Sequence, residues 1–247
     1  MYNFADFPLN RPIGIQAKLE VPPLQPKPRS EAAYLPICLY SDLARNKKSL
    51  IGAISKIFKI YHKVLIVIAD DLHAITKMNR GYRKETALKG ARIFSNNLSK
   101  IIENEFSNEI SSGKICILFW RQLQGEKGFR DIQRIIIEQY EGNWLFRKVC
   151  DDFCRYSIRK ISLPYSKFVF DNELRYLFEE ICGSIFSTEI LGYAHEIWER
   201  IPASGNLDPI KFIYTALNEK LKEALFKAEL RRICLTLDTV GFSEEKD

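Results

Sequence analysis

The stretch from Val64 to Tyr82 reads VLIVIADDLHAITKMNRGY, and it decides the fold that the sequence predicts. Its first six residues form a continuous apolar run rich in β-branched side chains, which is typical of a parallel strand covered on both faces. The polarity changes abruptly at Asp70 and Asp71, where we expect the strand to end. We therefore predict a buried strand that delivers polar groups to its carboxyl end and runs into a basic helix.

Two further apolar runs predict that this strand has parallel neighbours. Leu35–Ser41, LPICLYS, has the pattern of a strand that ends on an exposed serine, and Ile115–Trp120, ICILFW, repeats the strand pattern after a long helix. Strand, helix and strand at this spacing favour a parallel crossover. In open parallel sheets, ligands bind outside the carboxyl ends of the strands, where Ser41, Asp70 and Arg121 are expected.

The 3.6-residue periodicity of apolar side chains predicts that the rest of the chain is mainly helical. The helical segments are Asn46–Tyr61, Phe129–Tyr140, Asn143–Lys160, Asp171 to about Ile201, and Asp208–Leu235. We expect Asp171 to cap the fourth segment, and Asp208 with Pro209 to start the fifth. Six of the ten prolines lie in residues 1–34, which are therefore predicted to form an extended arm. The sequence thus predicts an α/β fold with an open, mostly parallel sheet flanked by helices.

The composition argues against a membrane protein and against a metalloprotein. No apolar run approaches the roughly 18 residues that a membrane span needs, and the first residues lack the pattern of a secretory signal. The six cysteines form no CxxC pair and the three histidines are isolated from one another, so no metal site is expected. The net charge of +6 is compatible with an anionic partner. We expect a soluble cytoplasmic protein.

The predicted helix that precedes the third strand carries an unbalanced charge. Between positions 80 and 100 the only acidic residue is Glu85, against six basic residues: Arg80, Arg83, Lys84, Lys89, Arg92 and Lys100. On a helical wheel the last three of these fall opposite an apolar face that includes Ala87 and Leu98. The pattern suits a track for phosphate groups as well as it suits an ordinary solvated face.

Several common nucleotide and hydrolase motifs are missing. There is no GxGxxG after the first predicted strand and no GxxxxGK followed by Ser or Thr, which argues against the usual dinucleotide and P-loop sites. Ser41 is not in a GxSxG elbow, and no histidine is placed to complete a triad with it. A nucleotide-binding enzyme that uses Asp70 or Asp71 is a weaker alternative.

The order of these segments, together with LRYLFEEICGSIFSTEILG at Leu174–Gly192, resembles the cyclodipeptide synthases. These enzymes join two aminoacyl-tRNAs into a diketopiperazine. The resemblance covers about Leu35 to Pro202, and its most specific pieces are VIADD…NRGY and RYLFEE…ILG. It implies a single Rossmann-like catalytic domain over residues 35–240, similar to the catalytic domain of class I tyrosyl- and tryptophanyl-tRNA synthetases. It also implies a monomer that needs no cofactor.

The resemblance implies which residues react. Ser41 matches the family's nucleophile, which accepts the first aminoacyl group from its tRNA. Tyr176 and Glu180 match a pair that holds the α-amino group and assists proton transfer, and their i, i+4 spacing brings them together on one helical face. The implied reaction is a ping-pong aminoacyl transfer from two aminoacyl-tRNAs through an aminoacyl-serine. The six basic residues named above are implied to bind tRNA.

The first substrate pocket is predicted to be hydrophobic, although core packing explains the same residues equally well. Its candidates are Ile37, Leu39, Ala44 and Ile117. Ala44, three positions after the serine, agrees with the subfamily that lacks an asparagine there. Leu39 replaces the small residue that the family usually has two positions before the serine.

The family's second catalytic tyrosine has no clean counterpart in this chain. At its expected place, about twenty residues after Glu180, the chain has Arg200 or Ile201. The alternative to a cyclodipeptide synthase is therefore a non-catalytic or divergent tRNA- or RNA-binding protein on the same scaffold.

Overall fold

Within the part of the chain that the structure describes, five parallel strands form one sheet. The structure, a computed structural model, describes residues 32–187, Leu191, and the backbone of residues 195–200 and 235–238. The strands are β1 Ala32–Ile37, β2 Lys63–Ile68, β3 Ile115–Phe119, β4 His195–Arg200 and β5 Leu235–Asp238. Their order in the sheet is β3-β2-β1-β4-β5, and each described pairing is parallel. The prediction of an α/β fold with a parallel sheet is confirmed.

The described residues also form nine helices. They are α1 Asp42–Arg45, α2 Lys47–Ile60, α3 Asp70–Asn79, α4 Lys84–Glu105, α5 Ser107–Ser111, α6 Trp120–Gly125, α7 Lys127–Gly142, α8 Trp144–Lys160 and α9 Lys167–Ile185. The first three predicted helical segments correspond to α2, α7 and α8. The stretch that joins the second strand to the third is divided into α3, α4 and the short α5. Most of the predicted arm (residues 1–31) and the predicted helix before residue 235, including its cap, lie outside the described residues.

Alternate side chains of the strands enter two apolar clusters, one on each face of the sheet. Tyr34, Leu65 and Val67 join the cluster formed with α7, α8 and α9. Leu35 and Ile66 join the cluster formed with α2 and α4. Both faces of β2 are therefore buried, as its continuous apolar run predicted. The carboxyl ends of the strands, rather than a sheet face, are left to meet a ligand.

The helix predicted to begin at Asp171 begins earlier, so the predicted cap is wrong. Ser166 is the N-cap of α9, because its Oγ accepts a hydrogen bond from the backbone N–H of Val169 at 3.2 Å. Asp171 lies inside the helix, where it is exposed and accepts from Lys167 Nζ at 2.5 Å. A serine with the same capping chemistry thus lies five residues before the predicted cap.

The same helix ends at Ile185 rather than near Ile201, so the predicted end is also wrong. Residues 195–200 form β4, which pairs with β1 at Ala33 and Tyr34 and with β5 along four residues. A strand takes its hydrogen bonds from distant partners, whereas 3.6-residue periodicity reports only local order. Residues 195–200 alone therefore do not predict a strand, because the partners of β4 lie elsewhere in the chain.

The described cysteines divide into a buried and an exposed group, and no disulfide joins them. Cys150, Cys154 and Cys182 are buried, and burial raises the pKa of each thiol far above its ordinary value. Such thiols are unreactive packing groups. Cys38 and Cys116 are exposed. Among the described helices, none is both long enough and apolar enough to cross a membrane.

A close contact between α9 and the start of α6 permits only glycine. A Cβ atom on Gly183 would overlap the six-membered ring of Trp120, which is 2% exposed. The indole cannot easily retreat, because its Nε1–H donates to Glu179 Oε2 at 3.1 Å. Gly183 therefore sets how closely α9 approaches the sheet.

Replacing Gly183 with alanine is expected to lower the free energy of unfolding by about 1–3 kcal/mol, since the added methyl overpacks the core. The higher helix propensity of alanine offsets at most about 1 kcal/mol of that loss. Urea denaturation measures the change. The matched control is Gly142→Ala in α7, where a Cβ would meet no atom within 4 Å. Equal stability of the two variants would show that the Trp120 side chain moves to accommodate the methyl group at little cost, which would contradict the prediction.

Candidate active site

Ser41 lies in a turn just beyond the carboxyl end of β1. The strand ends at Ile37, four residues before the serine, because the chain turns there: the N–H of Ser41 donates to the carbonyl of Cys38 at 2.9 Å. Ser41 Oγ accepts from the N–H of Ala44 at 3.2 Å and so caps the short helix α1. The side chain is half-buried. Its hydroxyl keeps its proton available, since the described hydrogen bond uses only a lone pair.

Tyr176 and Glu180 meet on α9, as their spacing predicted. The Tyr176 hydroxyl donates to the Glu180 carboxylate. Desolvation is the main cause that raises the pKa of Tyr176 well above its ordinary value, and the Glu180 charge adds to it. Tyr176 is therefore a neutral phenol at physiological pH. The Cys38 thiol makes a further, smaller contribution that raises the pKa of Tyr176.

A buried glutamate fixes the first half of α9. Glu173 is 7% exposed, and its two carboxylate oxygens accept from Asn79 Nδ2 and Ser157 Oγ, each at 2.7 Å. Burial raises the pKa of Glu173, while the two hydrogen bonds act in the opposite direction. The contact joins α9 to the last residue of α3, directly before Arg80. The contact therefore links the helix of Tyr176 to residues 80–83, the loop between α3 and α4 that contains Arg80 and Arg83.

A second buried glutamate fixes the next turn of α9. Glu179 is 1% exposed and accepts from Trp120 Nε1 at 3.1 Å, Gln124 Nε2 at 2.5 Å and Arg175 Nε at 2.8 Å. Glu179 directly precedes Glu180. These contacts therefore fix the orientation of α9 about its own axis, and with it the direction of the Tyr176–Glu180 pair. Neither Glu173 nor Glu179 was predicted from the sequence as an anchor of this helix. A carboxylate on the apolar face of an amphipathic helix is the signal that could have found them.

Two ion pairs occupy the aspartates at the carboxyl end of β2. Asp70 is fully buried and accepts from the side chain of Arg121 and from its backbone N–H, the latter at 3.2 Å. Asp71 accepts from Arg92 Nε and Nη2 at 3.2 and 3.1 Å. Burial raises the pKa of Asp70, and the Arg121 charge opposes that shift. The full burial of Asp70 and the engagement of both carboxylates by arginines disfavour the nucleotide-binding alternative.

Tyr40, directly before Ser41, is the centre of a cationic cluster that the sequence analysis also missed. Its ring lies 4.1 Å from the ring of His73, centroid to centroid. The guanidinium carbons of Arg80 and Arg45 lie 4.9 and 5.8 Å from the Tyr40 centroid. His73 is 6% exposed, and its Nδ1 has no hydrogen-bond partner among the described residues. Burial, with the charges of Lys77 and both arginines, lowers the pKa of His73 to about 4.

His73 is expected to make the native state less stable as the pH falls. Its ring titrates near 6.5 when the chain is unfolded but only near 4 in the native state, so between these values the unfolded state binds a proton that the native state excludes. The free energy of unfolding therefore decreases as the pH drops through that window, by about 1–3 kcal/mol.

Urea denaturation at pH 7 and pH 5 measures this effect. His73→Gln should lose less stability between the two pH values than the wild type does, because the titrating ring is gone. His62→Gln, at an exposed histidine, should keep the wild-type dependence. The same pH dependence in wild type and His73→Gln would assign the effect to another group.

The predicted tRNA-binding side chains are accessible to solvent, and one of them is already paired. Arg80, Arg83, Lys84, Lys89, Arg92 and Lys100 are all exposed. Ala87 and Leu98 on the opposite face of α4 are buried, so the predicted orientation of the helix is confirmed. Arg92 differs from the others because Asp71 already holds its guanidinium. RNA binding by these residues stays a prediction.

The predicted pocket residues lie mainly in the core. Ile37 and Leu39 are 1% and 2% exposed, and both belong to the cluster between the sheet, α2 and α4. Ala44 belongs to the same cluster, and the half-buried Ile117 packs against it. Core packing therefore accounts for their apolar character, and their role in a pocket stays a prediction. Arg200 ends β4, at the same edge of the sheet as the Ser41 turn.

The fold is shared with solved structures of cyclodipeptide synthases. One from Fluoribacter dumoffii matches with a TM-score of 0.64 at 14% identity, over 82% of this chain and 87% of that one. One from Candidatus Glomeribacter gigasporarum, solved bound to Phe-tRNAPhe, matches with a TM-score of 0.53 at 16% identity, over 80% of this chain and 86% of that one.

The likeness extends to a Mycobacterium tuberculosis protein whose structure relates cyclodipeptide synthetases to type I tRNA synthetases. Its TM-score is 0.58 at 14% identity, over 71% of this chain and 75% of that one. No protein-family model and no curated protein sequence matches this chain. The likeness at these identities establishes the fold, and it confirms the prediction of a Rossmann-like domain of the tRNA-synthetase type.

Proposed function

We propose that the protein is an aminoacyltransferase that converts two aminoacyl-tRNAs into a cyclic dipeptide by a ping-pong mechanism. One observation carries the proposal. Helix α9 carries the hydrogen-bonded Tyr176–Glu180 pair, on a fold shared with cyclodipeptide synthases whose strand β1 leads into the Ser41 turn. A carboxylate next to a neutral phenol suits an ammonium group, and the Ser41 hydroxyl suits an acyl acceptor.

The first proposed step is the transfer of one aminoacyl group to Ser41. Ser41 Oγ attacks the ester carbonyl carbon, and the bond from that carbon to the tRNA ribose oxygen breaks. The ribose oxygen leaves with the serine proton as a free hydroxyl. Glu180 holds the α-ammonium group, and Tyr176 donates a hydrogen bond within the same pair. The energy for the reaction is already stored in the ester, so the step itself consumes no nucleotide.

The next two proposed steps form two amide bonds. The amine of the aminoacyl-enzyme, after giving a proton to Glu180, attacks the ester carbonyl of a second aminoacyl-tRNA. This yields a dipeptidyl-enzyme and a second free tRNA. The new terminal amine then attacks the ester carbon on Ser41, and Ser41 Oγ recovers a proton as the cyclic dipeptide departs. Two aminoacyl-tRNAs thus give one cyclic dipeptide and two tRNAs.

The proposal extends to partners and subfamily. The substrates are two aminoacyl-tRNAs, bound along the exposed basic residues of α4 and the loop before it, and the protein acts as a monomer in the cytoplasm. Ala44, three positions after Ser41, supports the subfamily that lacks an asparagine there. Its methyl group leaves the Ser41 hydroxyl without a neighbouring amide side chain at that position.

Incubation with a pool of charged tRNAs tests the proposal. The expected result is a mass increase of the intact protein by one aminoacyl residue, together with a cyclic dipeptide in the extract. An RNA-binding protein without catalysis would retain tRNA but show neither the mass increase nor the product. That outcome would refute the proposed activity.

A further inference from the structure

The two arginines beside Tyr40 have unused hydrogen-bond donors. Arg45 and Arg80 approach the Tyr40 ring at 5.8 and 4.9 Å. Within the described part of the chain, neither guanidinium makes a hydrogen bond or an ion pair. A contact with an aromatic face uses the charge of a guanidinium but none of its five N–H donors. Both side chains therefore keep donors for a ligand.

The charge of this cluster is not neutralised by nearby described carboxylates. The charged groups that act on His73 are Lys77, Arg45 and Arg80, all of them cations. The aspartates at the start of α3 are engaged elsewhere, with Arg121 and Arg92. Among the described side chains the cluster holds several cations and no carboxylate, and such a charge balance attracts an anionic ligand.

The cluster lies directly beside the proposed nucleophile. Tyr40 precedes Ser41 in the chain, and Arg45 is the last residue of the single-turn helix that Ser41 caps. Arg80 reaches Tyr40 from the end of α3. Gly81 adopts a φ of +87°, which L-residues rarely adopt, and this allows the chain to turn away after Arg80.

An aminoacyl ester on tRNA brings an anion close to whatever attacks it. The ester is formed on a hydroxyl of the terminal ribose, and the 5′ carbon of the same ribose carries the phosphate that joins it to the preceding nucleotide. An ester carbonyl at Ser41 Oγ therefore places this phosphate within reach of side chains near Ser41. The cations at Tyr40, the residue directly before Ser41, have no carboxylate partner among the described residues.

We propose that Arg45 and Arg80 bind the phosphate between the last two nucleotides of the aminoacyl-tRNA, and thereby position its ester for Ser41. The inference rests on the proposed function. The guanidinium groups donate N–H bonds to the two free phosphate oxygens. The Tyr40 ring, packed on His73, contacts both guanidinium groups. Arg45 and Arg80 are thus positioning residues for the acyl transfer.

Removal of a single charge from the substrate tests this proposal. Two charged tRNAs are compared that differ only in the last linkage, a normal phosphodiester in one and an uncharged methylphosphonate in the other. The rate of Ser41 acylation is followed by intact-mass measurement under single-turnover conditions. The methylphosphonate should slow acylation of the wild type by about tenfold. In Arg45→Ala and Arg80→Ala both tRNAs should react slowly and at nearly equal rates.

The matched control is Lys59→Ala, an exposed cation at the end of α2, before β2 begins and so at the opposite edge of the sheet. It should keep the full difference between the two tRNAs. Equal rates for the two tRNAs in the wild type overturn the phosphate site while leaving the proposed function intact. An undiminished difference in both arginine variants overturns the assignment to Arg45 and Arg80. A lack of acylation from the normal tRNA refutes the proposed function itself.

Discussion

Replacing Ser41 with alanine is expected to abolish the aminoacyl-enzyme that forms when the protein is mixed with charged tRNA. In the proposed mechanism Ser41 Oγ is the atom that becomes acylated. Without this oxygen the same adduct cannot form, even slowly. Intact-mass measurement should show one added aminoacyl residue on the wild type and none on the variant. Ser41 Oγ also caps α1, and loss of that hydrogen bond costs about 1 kcal/mol, so the variant should stay folded.

Two further variants make the result specific. Ser112→Ala removes an exposed serine just before β3, at the other edge of the sheet, and should be acylated like the wild type. Ser41→Cys keeps a nucleophile at the same position and should carry the acyl group as a thioester. Acylation of Ser41→Ala at the wild-type rate would assign the nucleophile to another residue.

Replacing Glu180 with glutamine is expected to slow cyclic dipeptide formation by roughly 100-fold or more. The amide keeps the shape of the side chain and can still accept from Tyr176. It lacks the charge that holds an ammonium group, and it cannot take the proton that the amine must lose before it attacks. Product formation is measured by mass spectrometry at saturating charged tRNA, and the acyl-enzyme is measured in the same samples.

The matched control for Glu180 is Asp171→Asn on the same helix. Asp171 is exposed, and its described partner is Lys167, so the substitution should change the rate by no more than about twofold. Tyr176→Phe should also reduce the rate, since it removes the hydroxyl of the pair. A rate for Glu180→Gln within about twofold of the wild type would contradict the proposed role and favour a binding protein without catalysis.

The parts of the fold that local order controls could be predicted from the sequence. The apolar run of β2 predicted burial on both faces, and its residues from Val64 to Ile68 are at most 1% exposed. The helical wheel of α4 predicted which side of the helix faces the core. In the structure Ala87 is buried and Lys89 is exposed, as predicted. The i, i+4 spacing of Tyr176 and Glu180 predicted that the two side chains meet on one face of a helix, and they do. In each case the sequence pattern that made the prediction lies within one element.

The parts that depend on distant partners could not be predicted in this way. β4 needs β1 and β5 for its hydrogen bonds, and its own six residues do not reveal them. Glu173 is bound by Asn79, which lies 94 residues away. The contact of Arg80 with Tyr40 depends on the turn at Gly81 and on the packing of α3 against the sheet. Contacts of this kind depend on how distant elements pack together, and the periodicity of the sequence carries no information about that packing.

The order of strands in the sheet has a consequence for synthesis on the ribosome. β1 lies in the middle of the sheet, yet β2 and β3 follow it early in the chain, while β4 emerges only after residues 120–194 have been made. At ~5–20 residues per second, one side of β1 waits several seconds for its partner. An unpaired apolar strand edge can recruit other chains during that interval. A lower level of expression, which leaves fewer chains to be recruited, or extra chaperone is therefore expected to raise the yield of folded protein.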